Sequence, residues 1–132
     1  MQNNKLQISA IVPALNEEKS VGKVVKTLLK SKLISEVICI NDGSTDNTLK
    51  ILEGFGNKII TIDQKKTKGK GTSVVAGIKK AKGDFVFFCD ADLVGFNNKH
   101  IYSMIDPIIK GKTKIVLGVN ATREKGKYWR ND

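Results

Sequence analysis

Histidine, arginine, proline, cysteine and aromatic residues are all scarce in this 132-residue chain. The single histidine, His100, reads as a helix-surface residue rather than a catalytic base, and the sequence offers no clear Ser/His/Asp set. The two cysteines, Cys39 and Cys89, sit inside apolar runs with no histidine or further cysteine nearby. That argues against a thiolate metal centre, and both read as buried, reduced thiols, with a bridge between them left open. Arginine occurs only as Arg123 and Arg130, so the formal charge of +10 is carried almost wholly by lysine. Aromatics make up 6% of the chain. A lysine surface attracts polyanions of any kind, but without arginine and aromatic neighbours it lacks the groups that read and stack bases. No specific nucleic-acid partner is expected, and purely electrostatic binding would vanish at moderate salt. No apolar run approaches the ~20 residues of a membrane-spanning helix. The opening Met1-Gln2-Asn3-Asn4-Lys5 is polar, unlike a signal peptide. The expected location is the cytoplasm, with peripheral attachment to a membrane as the alternative.

What is present is an alternation of apolar runs and amphipathic stretches, in a chain long enough for one domain. Strands are expected at Leu6 to Val12, stopped by Pro13, and at Ser35 to Ile40, Lys58 to Ile62, Phe85 to Cys89 and Thr113 to Val119. Val21, Val24, Val25, Leu28 and Leu29 form a helical stripe, with Asn16 as its expected N-cap. A second helix is expected around Thr48 to Glu53, capped by Ser44 or Asp46. A third starts at Thr72 with Val74, Val75, Ile78 and Ala81 on one side. A fourth spans Asn98 to Ile109 and is kinked near Pro107. The segment from Ala121 to Asp132 shows no pattern. Continuous rather than alternating apolar strands imply a parallel sheet covered on both faces. The fold class is therefore α/β and Rossmann-like, a mostly parallel sheet with helices on both faces.

In such a sheet ligands sit at the carboxyl ends of the strands. Those ends carry Pro13 to Glu17, Asn41-Asp42-Gly43-Ser44-Thr45-Asp46 and Asp90-Ala91-Asp92. A carboxylate at the mouth of a buried strand is costly unless solvated, paired or metal-bound. Asp90 and Asp92, one residue apart at a turn, suit Mg²⁺ or Mn²⁺ that keeps positions open for phosphate oxygens. A solvated acidic turn explains that triplet about equally well. Asp42 can accept from a nucleobase ring N–H, with Gly43 permitting close backbone approach; Asp, Gly and Ser are also ordinary turn formers. Glu17 lies at the same rim. Lys68-Gly69-Lys70-Gly71 precedes a helix start and favours phosphate, though it lacks the pattern of a nucleotide-hydrolysing P-loop.

Ile11-Val12-Pro13-Ala14-Leu15-Asn16-Glu17-Glu18, Asn41-Asp42-Gly43-Ser44-Thr45-Asp46-Asn47-Thr48, Gly69-Lys70-Gly71, Gly83-Asp84 and Asp90-Ala91-Asp92 follow one another in an order that resembles the family 2 glycosyltransferases. The likeness extends over nearly the whole chain and is similar to the glucosyl-3-phosphoglycerate synthase and dolichyl-phosphate mannosyltransferase-like branches. It implies a GT-A fold, a nucleotide diphosphate sugar donor (UDP- or GDP-linked), Mg²⁺ or Mn²⁺, and an acceptor it does not name. It implies that Pro13, Ala14, Asn16 and Glu17 line the base and ribose pocket and that Asp42 contacts the base. Lys70 and Gly71 lie near the nucleotide in that reading. Asp90, Ala91 and Asp92 form the metal and diphosphate motif, with Asp92 the direct ligand and catalytic group. Family domains continue past the fifth strand, so residues 1–132 are expected to form a single donor-binding domain lacking the acceptor part. Self-association, or a partner completing the domain, follows as an expectation. Two other classes compete: a truncated, non-catalytic nucleotide-sugar-binding module or subunit, and a receiver-like signalling domain phosphorylated at Asp63.

Overall fold

The computed structural model describes residues 5–113. Most of the expected fifth strand, and the patternless segment after it, lie outside the described residues. The elements are β1 (Ile8–Ala14), α1 (Val21–Lys30), β2 (Glu36–Asn41), α2 (Thr48–Glu53), a 3-10 turn (Gly56–Lys58), β3 (Ile60–Asp63), α3 (Lys70–Lys80), β4 (Phe85–Phe88) and α4 (Asn98–Ile109). All strand pairs are parallel and the order is β3-β2-β1-β4.

Side chains alternate across the sheet, so the strands together feed two cores. Ile8, Ala10, Val12 and Ala14 of β1, with Val37, Cys39 and Phe87, pack against Val21, Val24, Val25 and Leu28 of α1, Leu52 of α2, and Ile101 and Ile105 of α4. Ile11, Ile38 and Ile40 face the other way, joined by Ile60, Ile62 and Val86. The chain steps from β1 to β2 to β3 in one direction, then returns past β1 to form β4. Right-handed crossovers require the returning helix, α3, to lie on the opposite face from α1 and α2. The sheet is thus covered on both sides, as the continuous apolar runs predict.

Several elements differ from expectation for identifiable reasons. Pro13 does not stop β1, which runs to Ala14 with Pro13 in register with Ile40. The carbonyls of Ile8 and Ala14 accept from Ser35 and Asp42 on the β2 side, whereas that of Ile11 accepts from Cys89 on the β4 side. By that alternation Pro13 faces β4, whose pairing with β1 ends at Phe88, so no ladder bond needs its missing N–H. In α3 the helix begins at Lys70, and the buried residues are Ser73 and Gly77, not the valines. Val75 is 50% exposed and Ile78 46%. A Cβ on Gly77 would come within 2.6 Å of Ile11 Cγ2 and 3.1 Å of Ile40 Cδ1. The helix therefore approaches the sheet along its smallest residues. α4 runs through Pro107 to Ile109 and is closed at its start by a capping box between Asn97 and His100. Cys39 and Cys89 are both free and buried. They flank Val12 on either side of β1, two strand spacings or about 9.6 Å apart, which is beyond the ~7 Å limit for a disulfide.

Candidate functional site

A parallel sheet places every strand's carboxyl end on one rim, and the strand order reverses between β1 and β4. The segments following β1, β2, β3 and β4 are therefore neighbours there. Three sets of contacts tie them together.

The first joins the ends of β1 and β2. Asn16 adopts a left-handed backbone, φ 54°. Its N–H donates to Ser44 Oγ at 2.9 Å, and its side-chain oxygen accepts from the N–H groups of Thr45 at 2.8 Å and Asp46 at 3.3 Å. The N–H of Glu17 donates to Thr48 Oγ1 at 2.9 Å, and Glu18 exchanges bonds with Asp46 and Asn47. Asn16 is thus not the cap of α1, whose N-cap position is Ser20. It clasps the Asp42–Asp46 loop instead. Neither Ser44 nor Asp46 occupies the N-cap position of α2, which is Asn47; Asp46, one residue earlier, still binds its first turn, accepting from Thr48 N–H at 2.9 Å and Thr48 Oγ1 at 2.5 Å. Desolvation pushes its carboxyl up, but the bonds from Thr48, Glu18 and its own amide prevail, and its pKa lies below the ordinary 3.8.

The second set anchors the loop between β3 and α3. Asp42 is buried, 3% exposed. Its carboxylate accepts from Lys68 N–H at 2.7 Å and Gly69 N–H at 3.1 Å, and its carbonyl accepts from Thr67 Oγ1 at 3.0 Å. Gly43 has φ 72°, and a Cβ there would lie 2.4 Å from Thr67 N. The close approach expected at Gly43 is thus made by this loop. Asp63 ends β3 and accepts from Asn41 Nδ2 and Lys65 N–H. Its strand lies beside β2, two positions from β1 among the described strands, whereas the receiver-type order 2-1-3-4-5 places the third strand beside the first.

The third set fixes the acidic turn after β4. Ala91 is buried, with its methyl in the core, and its carbonyl accepts from Ser20 Oγ at 2.7 Å. Ser20 thereby docks the start of α1 onto the Asp90–Asp92 turn. Asp90 is ion-paired with Lys70, the first residue of α3. Asp92 is exposed and has no side-chain partner among the described residues. Behind the turn, burial pushes both thiols up to about 12, Cys39 further raised by Cys89 and Cys89 by Asp90 and Asp92.

Pro13, Ala14, Asn16, Glu17, Asp42, Lys70, Gly71, Asp90, Ala91 and Asp92 therefore share one rim. Pro13 is half-buried and Ala14 buried at the end of β1; Lys70 and Gly71 are exposed at the start of α3. Ser20, Thr48 and Thr67 belong to the same framework and were not singled out by sequence reasoning. Each is a hydroxyl that, besides any local bond, ties to a group 25 to 71 residues away. No local pattern announces those distant partners.

Among the described residues no group of three or more His, Cys, Asp or Glu side chains is placed to hold a metal. Asp90 and Asp92 offer hard oxygen donors on exposed carboxylates. That set fits Mg²⁺ or Mn²⁺ completed by water and ligand phosphate oxygens, and does not fit a closed structural site.

Residues 9–132 match the glycosyl transferase family 2 model. A dolichyl-phosphate beta-glucosyltransferase of Trichomonas vaginalis is 31% identical over 91% of this chain and 42% of its own length. A glucosyl-3-phosphoglycerate synthase of Petrotoga mobilis is 29% identical over 82% of this chain and 36% of its own. The chain thus spans less than half the length of either. Among solved structures, the Mycobacterium tuberculosis glucosyl-3-phosphoglycerate synthase in complex with UDP superposes with a TM-score of 0.70 at 27% identity, over 81% of this chain and 41% of that one. The same enzyme has been crystallised with Mn²⁺, UDP-glucose and phosphoglyceric acid.

Proposed function

The chain belongs to glycosyl transferase family 2, and from that membership we propose that its rim binds the nucleotide diphosphate sugar donor of a glycosyltransferase. The fold is the Rossmann-like α/β layer of the GT-A glycosyltransferases. The observation that carries the reading is the position of the Asp42 loop and the Asp90–Asp92 turn. They follow strands on either side of β1, on one rim, around the place where strand order reverses. UDP is the favoured nucleotide, because the superposed relative carries it.

Pro13, Ala14, Asn16 and Glu17 form the wall for base and ribose in this reading. Asp42 closes that pocket and holds the following loop through Lys68 and Gly69. Lys70, Gly71 and the amino end of α3 face the diphosphate, where an ammonium and free helix amides favour negative charge. Asp92, with Asp90, would hold Mg²⁺ or Mn²⁺. When bound, the ion supplies Lewis-acid neutralisation of charge growing on the departing nucleoside diphosphate. No helix among the described residues is long and apolar enough to cross a membrane.

Isothermal titration of the chain with UDP and GDP, with and without Mn²⁺, tests the reading. Metal-dependent binding of one nucleotide is expected, and Asp92→Asn weakens it by about tenfold or more. A folded sample that binds neither nucleotide in the presence of Mn²⁺ would overturn it.

A further inference from the structure

Resting on that donor-site reading, one contact acquires a role beyond packing. Lys70 is rooted in a fixed backbone. Asp42 holds the two preceding N–H groups, Gly69 turns the chain at φ 98°, and Ser73 ties the first turn of α3 back to Gly69 and Gln64. From this base the lysine side chain reaches across the rim to Asp90. Both partners are open to solvent, the side chains 66% and 53% exposed, so the pair can exchange. Asp92, the other acid of the turn, has no such counter-ion among the described residues.

A divalent cation arriving alone has to displace the ammonium from Asp90, which strands Lys70 without an anion. A diphosphate arriving alone has to draw Lys70 away, which leaves two unneutralised carboxylates facing its phosphates. Arriving together, the cation takes the carboxylates and Lys70 passes to a diphosphate oxygen, so every charge keeps a partner. We propose that Lys70 is an exchangeable counter-ion of Asp90 that couples metal binding to diphosphate binding. By linkage the coupling is reciprocal: each ligand raises the affinity for the other.

The coupling predicts two gains of affinity on removing charged groups. Lys70→Gln binds Mn²⁺ alone more tightly than wild type, because the competing ammonium is gone. Asp90→Asn binds UDP more tightly than wild type in the presence of chelator, because Lys70 is already free. For an exposed, screened pair each gain is about two- to fivefold. The measurements are Mn²⁺ binding by electron paramagnetic resonance and UDP binding by equilibrium dialysis, on full chains whose circular dichroism matches wild type. The proposal is overturned if Lys70→Gln fails to tighten Mn²⁺, or if Asp90→Asn fails to tighten metal-free UDP while wild type binds UDP with Mn²⁺. If wild type binds no nucleotide at all, the donor site falls, and the Mn²⁺ arm alone still decides the counter-ion.

Discussion

Asn16 illustrates how one side chain can be identified correctly as important and assigned the wrong task. Asn followed by two glutamates ahead of an apolar stripe is a normal helix-start signature. The same side-chain oxygen is equally able to accept from a loop, and here it bonds the N–H groups of Thr45 and Asp46. Its positive φ suits asparagine better than any β-carbon residue lacking a polar tip. Replacement by alanine removes those bonds and leaves the strained backbone. Asn16→Ala is expected to cost about 1–2 kcal/mol in urea denaturation, and Asn16→Gly less, since glycine relieves the backbone term. Equal losses in the two variants would show that φ contributes nothing. Asp42 carries a similar lesson. Its rim position was legible from a polar turn after an apolar run. Its use of both carboxylate oxygens on Lys68 and Gly69 was not, because those amides come after another strand.

Helix α3 is the element where periodicity misled most. Val74, Val75, Ile78 and Ala81 form an apolar stripe, yet only its edge turns inward: Val74 is half-buried and Ala81 packs against the Ile11 core, while Val75 and Ile78 are exposed. Close packing decides this: the face bearing Ser73 and Gly77 lets the helix axis approach Ile11 and Ile40. Gly77→Ala separates the two influences. Helix propensity favours alanine by about 1 kcal/mol, while overpacking against a stiff, fully buried isoleucine costs about 1–3 kcal/mol. Net destabilisation of about 1 kcal/mol is expected from the shift in thermal midpoint, and a stabilised Gly77→Ala protein would contradict the packing described. The exposed Val75, by comparison, should tolerate threonine within about 0.5 kcal/mol. The stripe of α1 was legible because all but one of its members, Leu29, are buried, as continuous β-strand neighbours demand. The length of β1 was not, because whether Pro13 is tolerated depends on where β4 stops.

Over the whole molecule, two cores on opposite sheet faces account for the state of the thiols. Cys39 and Cys89 lie in the same core, separated by β1, and burial pushes both up to about 12. Neither thiolate forms near neutral pH, and neither sulfur can reach the other. Native protein at pH 8 should show no reaction with Ellman's reagent, and guanidinium should expose two thiols per chain. Reaction of the native state at the rate of a free thiol would contradict the described burial.

The amino-acid order alone determined the parallel α/β layer and the rim on which acids gather. Runs of apolar residues long enough only for strands must be buried on both faces, and parallel strands send all their carboxyl ends the same way. Tertiary structure alone decided which rim group meets which: Asn16 with Thr45, Ser20 with Ala91, Asp42 with Lys68, Lys70 with Asp90. Those pairings depend on strand order, register and the distance of closest helix approach. They are properties of chain segments far apart in sequence, so no local pattern encodes them.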